Sequence, residues 1–341
     1  MNIYFLISVV ILSLVVNNDT YTTAQISKKL LKTQAPQSNP KVLEKKESLL
    51  SEDIIPLIYC PNPGNTYNFS VESSVSQTLG DMFDFKARTS AHTSMQLSID
   101  KNVKKQLLLI YKYDKGNVSF DGLSMAGIPD TSFTTNSSLL PETQELINQQ
   151  GIVLERIHTH PSGAHIPARS EQLLQSLAQG ARYFLIEFPS KPIKKDSAWK
   201  ITKIDTIHTS ALEGNSSIIM NTNLHYVISD ISVKNGTRIA TIQCSSHSLG
   251  FKGTAEQSGV FLTIDGEGTA KGIYNVELLT GIPIDAQLSM EYELRMAATG
   301  QENAIFPVTM NMDTKYMRTG FSGNNQQLHS HPKEKQSKKI K

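Results

Sequence analysis

Over the C-terminal part of the chain, apolar and polar positions alternate one by one. Leu288, Met290, Tyr292, Leu294 and Met296 interleave with Gln287, Ser289, Glu291, Glu293 and Arg295, and Val308, Met310 and Met312 repeat the pattern. A period of two sends successive side chains to opposite faces, so the region beyond 218 predicts an antiparallel sheet buried on one side. Asn235-Gly236 is suited to a two-residue hairpin turn, and the glycines around Asp265-Gly266-Glu267-Gly268 and at Thr280-Gly281 punctuate further strands. The Met-rich stripe is first of all a core face, with a lipid- or ligand-binding surface as the alternative.

Upstream, from Ile54 to about Ser210, strand and helix signals alternate. Leu107 to Tyr113 predicts a buried strand ending at the turn Asp114-Lys115-Gly116-Asn117, and Val118-Ser119-Phe120 a short strand after it. Leu140 to Ile147 has the chemistry of a helix start, with Pro141 early, Glu142 and Glu145 near the positive end and Gly151 beyond. Ile152 to His160 predicts a strand stopped by Pro161-Ser162-Gly163. Ser170 can cap a helix carrying Leu173, Leu174, Leu177 and Ala178 on one face. Tyr183 to Phe188 and Trp199 to Ile204 predict two more strands. The expected class is α/β with a mixed sheet, followed by the antiparallel β region.

A length of 341 residues suits two domains. The predicted organisation is a signal peptide over 1–24, a polar linker or propiece over 25–53, the α/β domain over 54–212, the β domain over 218–319 and a disordered basic tail over 320–341. Ile3 to Val16 is an apolar run of signal-peptide length and short for a membrane span, and Thr22-Thr23-Ala24 offers small residues for cleavage before Gln25. A membrane anchor is the alternative. The expected location is therefore secreted, periplasmic or extracellular, with no transmembrane span after signal removal.

Lys+Arg 33 against Asp+Glu 31 gives no electrostatic footprint for nucleic acid. In an oxidising compartment Cys60 and Cys244 could form a disulfide or remain two thiols. Glycosylation triplets at Asn68, Asn117, Asn136, Asn215 and Asn235 fit a glycoprotein, although a chain rich in Asn, Ser and Thr produces them by chance.

The candidate chemistry lies at His158-Thr159-His160. Residues i and i+2 of a strand share a face, so both imidazoles can approach one divalent metal, and a nearby loop can supply a third ligand. The segment His158-Thr159-His160-Pro161-Ser162-Gly163, with Ser170-Glu171 opening a helix, resembles the JAMM or MPN-type zinc metallopeptidases over about residues 90–205. The resemblance implies His158, His160 and Glu171 as metal ligands, with Glu171 at the place of the family's Asp. It also implies a zinc-activated water that attacks a peptide or isopeptide bond.

The chain departs from the family at two places. Ala168 replaces the Ser that steadies the tetrahedral oxyanion, and Lys104-Lys105-Gln106 stands where the family keeps its Glu base. Glu187 and Glu72 are replacement candidates for the base, and Ser162, His165 and Ser170 are auxiliary candidates.

Several readings follow. One is an exported zinc-dependent hydrolase of a protein or peptide substrate, cell-wall peptide included. A second is a catalytically inactive JAMM-like binding module. In a third, the two histidines are locally satisfied at a polar strand end. A fourth is an envelope or surface protein that acts mainly through its β domain, since Gly268 to Tyr274 and Thr280 to Pro283 faintly resemble β-sheet domains of bacterial envelope lipoproteins. A second HxHP, His329 to Pro332, sits in the polar tail without a strand to orient it.

Overall fold

The structure, a computed structural model, describes residues 54–80, 85–103, 105–122, 130–135, 142–159, 184–208, 217–257, 260–299 and 304–323. In chain order its strands are β1 (Thr66–Leu79), β2 (Phe85–Val103), β3 (Gln106–Asp121), β4 (Thr131–Thr135), β5 (Glu142–Asn148) and β6 (Val153–Thr159). They continue with β7 (Ala198–His208), β8 (Ser217–Lys234), β9 (Thr237–Gln257), β10 (Val260–Glu277), β11 (Pro283–Thr299) and β12 (Ala304–Ser322).

All twelve belong to one sheet, ordered β6-β5-β3-β2-β1-β12-β11-β10-β9-β8-β7, with β4 beside β3. Every ladder is antiparallel. The first and last strands meet in the middle, Val71 opposite Tyr316. Each arm then runs outward through antiparallel pairs of neighbouring strands to an edge that is free among the described residues, one at β6 and the other at β7. The sheet crosses the expected boundary between 212 and 218, because β7 pairs with β8 along Ala198–His208.

This architecture corrects the α/β expectation. The segment expected to start a helix, Leu140 to Ile147, contains β5, which pairs with β3 on one side and β6 on the other. Two ladders satisfy more backbone groups than an isolated helical turn does, and its inward residues Thr143, Glu145 and Ile147 fall on the strand period. The expected turn Asp114 to Asn117 is instead a bulge inside β3, where the register against β2 shifts between Thr93 and Met95. Tyr183 to Phe188 forms no strand over its described part, which starts in a turn and makes no ladder. Asn235-Gly236 does close a hairpin, both residues at positive φ, with Lys234 opposite Thr237.

Without the α/β frame the metallopeptidase assignment falls, and the zinc, hydrolase and JAMM-like description with it. Among the described residues no three His, Cys, Asp or Glu side chains gather to hold a metal ion.

The alternation gives the sheet an apolar inner face and a polar outer one. On β1, Tyr67, Phe69, Val71, Val75 and Leu79 point inward, while Thr66, Asn68, Ser70, Glu72 and Ser74 lie on the other side. Eight register irregularities, such as those at Ile99/Lys101 and Thr222/His225, let the long strands coil. Small residues on β10 help: Gly266, Gly268 and Gly272 stand opposite Leu294, Tyr292 and Leu288, and a Cβ on Gly268 would lie 2.6 Å from the Tyr292 ring.

Two extended segments, 54–60 and 184–193, run inside the curl and plug one end. Ile55 and Ile193 bridge each other. The Tyr59 amide donates to Gln149, the Cys60 amide to Thr280 and the Phe188 amide to Gln150, tying the plug to turns on both arms. Phe184 packs edge-on against Phe69 of β1 at 4.7 Å and against Tyr316 of β12 at 5.0 Å.

Candidate functional site

Among the described residues, β6 and β7 do not pair, and the two free edges leave a seam. A cavity of about 430 Å³ spans it, bordered by β5 and β6 on one side, β7 and β8 on the other, with the plug and β10 behind. Because its walls come from both ends of the strand order, the sheet curls until its edges face one another.

The seam holds charges where the inner face is otherwise apolar. On the β5/β6 side, Glu145 is almost fully buried, accepts from Arg156 Nε at 2.6 Å and from the Tyr111 hydroxyl at 3.1 Å. On the β7/β8 side, Lys203 Nζ lies 2.5 Å from Glu187, which the plug carries inward. The Trp199 indole donates to the Glu187 carbonyl at 2.9 Å and fixes the plug against β7. Lys203 stands opposite Thr222 in the β7/β8 ladder, and Ile201 opposite Leu224. Thr222 is 3 % exposed, and among the described residues its hydroxyl has no hydrogen-bond partner.

Aromatic rings floor the site. Trp199 stacks on Tyr226 at 5.2 Å, and Tyr226 meets Tyr274 edge-on at 6.5 Å. Burial, with Tyr274 and Cys244 nearby, pushes the Tyr226 phenol well above its ordinary range, so it stays neutral. The apolar walls are Ile147, Leu185, Ile201 and Leu224, and the outer lip carries Ile152, Val153 and Ile204, all three exposed. Volume and mixed lining fall within the range of small-ligand pockets, roughly 300–1,000 Å³.

Of the residues expected to form a metal site, only His158 falls among the described residues. His158 lies on β6 opposite Thr143, whereas His160, Ser162, His165, Ser170 and Glu171 lie outside the described residues. Of the two base candidates, Glu187 is the seam acid already paired with Lys203, and Glu72 is on the outer face, 3.7 Å from His92. Cys60 and Cys244 are unpaired thiols, one exposed and one buried, so the disulfide alternative is not realised.

The seam residues Glu145, Arg156, Lys203 and Thr222 form no motif; in the sequence Glu145 reads as part of a helix start, and nothing marks the other three as site residues. For Glu145, Lys203 and Thr222 the signal was phase: each is polar at a position where the period of two places a side chain inward.

No family model and no curated protein matches the chain. Among solved structures, lipovitellin, in a study of its lipid–protein interactions, aligns at 12% identity and TM-score 0.45 over 76% of this chain and 26% of that one. The chain thus spans about a quarter of the lipovitellin chain's length. An outer membrane channel from Pseudomonas putida F1 aligns at 10% identity and TM-score 0.28, covering 76% of this chain and 97% of the channel. A mutant porin from Rh. blastica aligns at 7% identity and TM-score 0.22, covering 74% and 99%.

Proposed function

We propose that the protein is an exported β-sheet carrier that holds an apolar or amphiphilic ligand at the seam between β6 and β7. The observation that carries this reading is the cavity itself: an apolar inner face opens there between two unpaired edges, with a buried hydroxyl and two ion pairs in its walls. A twelve-stranded curl is wider than the roughly eight strands whose side chains fill a closed barrel, so the plug fills part of it, and among the described residues the seam between β6 and β7 is unpaired.

The face polarity favours a carrier over a membrane-spanning channel. A spanning barrel needs an outward apolar band about 25 Å tall, with its polar residues inside. Here Glu72, Arg88, His92, Glu291, Glu293 and Arg295 lie on outward positions, and the inner positions are mostly apolar. The apolar run Ile3 to Val16 supports export, with secretion or an envelope location as the destination.

The test is to purify the full chain from expressing cells under detergent-free conditions and extract it with organic solvent. Mass spectrometry of the extract is expected to show a co-purifying amphiphile well above that of a control protein of similar size. Leu224→Trp, which fills the cavity, is expected to reduce the amount carried. A clean extract together with no uptake of a fluorescent acyl probe would overturn the reading.

A further inference from the structure

The charge arrangement in the seam specifies the head group of its ligand. We infer that the cavity binds an amphiphile whose polar head carries no net charge, the head seated at Thr222 and the chain lying along the apolar track to the lip. This rests on the carrier reading above and adds head-group selectivity to it.

The lining holds four charged side chains, and they cancel in pairs. Arg156 is held by Glu145 at 2.6 Å, and Lys203 by Glu187 at 2.5 Å. An anionic head would have to draw a cation away from its carboxylate, and a cationic head would have to draw a carboxylate away from its cation. Either leaves a charge unpaired in a partly buried site, which is costly. A head without net charge leaves both pairs intact and still interacts with their dipoles.

Thr222 supplies the independent indication of a ligand. Its hydroxyl is buried, lines the cavity and has no hydrogen-bond partner among the described residues. A ligand oxygen placed there can accept its proton. From that point, Leu224 and Ile201 on one side and Ile147 and Leu185 on the other lead outward to Ile152, Val153 and Ile204. These side chains line the same cavity as the two ion pairs and offer an alkyl chain apolar contacts on its way out through the seam.

Four probes with twelve-carbon chains test the inference by calorimetry on the full chain, each below its micelle concentration. They are dodecylphosphocholine, a dodecanoyl monoglyceride, dodecanoate and dodecyltrimethylammonium. The two neutral-headed probes are expected to bind about tenfold or more tighter than either charged one. Thr222→Val is expected to weaken the neutral probes about fivefold or more, and Thr222→Ser, which restores the hydroxyl, to recover most of the loss.

Equal binding of all four probes, or binding unchanged by Thr222→Val in a folded variant, overturns the head-group inference and leaves the carrier reading standing. No binding of any probe, with a clean extract, removes both.

Discussion

The hydroxyl of Tyr59 donates to the carbonyl of Ile186 at 2.9 Å and accepts from the amide of the same residue at 3.1 Å. One side chain therefore satisfies both backbone groups of a residue in an unladdered segment inside the curl. The two plug strips, 127 positions apart in sequence, are joined at that point. Tyr59 also stacks on Phe188 at 4.6 Å, so the joint has an apolar body and a polar tip.

Tyr59→Phe keeps the stack and removes only the tip. It leaves the amide and carbonyl of Ile186 buried without partners, an expected cost of about 1–3 kcal/mol. For a chain of this size each kcal/mol lowers Tm by roughly 2–4 °C. Differential scanning calorimetry would detect the shift, and an unchanged Tm would mean that the plug is not held there.

The ion pair Glu145–Arg156 is a second joint, between β5 and β6, with 4% and 20% of the two side chains exposed. Arg156→Met is expected to cost roughly 3 kcal/mol, the low end for a buried pair that loses one partner, because Arg156 keeps some contact with water. Combining it with Glu145→Gln removes the stranded charge and still lets Tyr111 donate to the amide carbonyl. The double variant should therefore be more stable than the single one in urea titrations. A double variant as unstable as the sum of the two changes would show that the pair does not act as a unit.

Alkaline pH is expected to loosen the whole core. Burial pushes the phenols of Tyr59, Tyr111, Tyr113 and Tyr316 upward, with Glu145 adding to the shift at Tyr111 and Tyr113. It also pushes the Cys244 thiol up to about 12, against a weaker downward pull from Tyr226. These folded values lie above the unfolded ones, so the folded state retains protons that the unfolded chain releases. The stability is fully present below about pH 9, begins to fall there through Cys244, and falls further above about pH 10 as unfolded tyrosines ionise. Urea midpoints measured from pH 7 to pH 11 should decrease across that window. A flat profile would be incompatible with this buried set.

The thiols give a sharper local prediction. Cys60 is exposed, and Cys244 is buried on β9 opposite Tyr226 and Gly272. Iodoacetamide at pH 8 should add one label to the native protein and two in urea, as read by intact mass. Two labels without denaturant would show that β9 is open to solvent, and none in urea without reductant would show a disulfide.

The sheet was legible where one face alone is buried. On β11 the inward series Leu288, Met290, Tyr292, Leu294 and Met296 is the alternation seen in the sequence. It was not legible at β5. Pro141, Glu142 and Glu145 have the local chemistry of a helix start, whereas the partners that hold Glu145 inside are Arg156, 11 residues on, and Tyr111, 34 residues back. No local window contains both. Gly116-Asn117 misled in the same way, since a glycine that reads as a turn serves a bulge opposite Thr93. The run Ile152 to His160 read as a strand, and β6 covers Val153–Thr159 of it, but a local run could not supply the surrounding architecture.

Thr222 yields the prediction that most directly separates folding from function. Its hydroxyl is buried and unpartnered, so it costs stability in the ligand-free protein, by about 1–3 kcal/mol if nothing offsets it. Valine has nearly the same shape without the hydroxyl, and β-branching suits a strand. Thr222→Val should therefore raise the Tm of delipidated protein by a few degrees, or at least leave it unchanged. In protein that retains its ligand the sign should reverse, because the wild type gains from binding what the variant cannot. Scanning calorimetry on both preparations reads the difference. A variant less stable than wild type in the delipidated state would show that the hydroxyl is a structural group, and the seam would then lose its strongest mark of a ligand site.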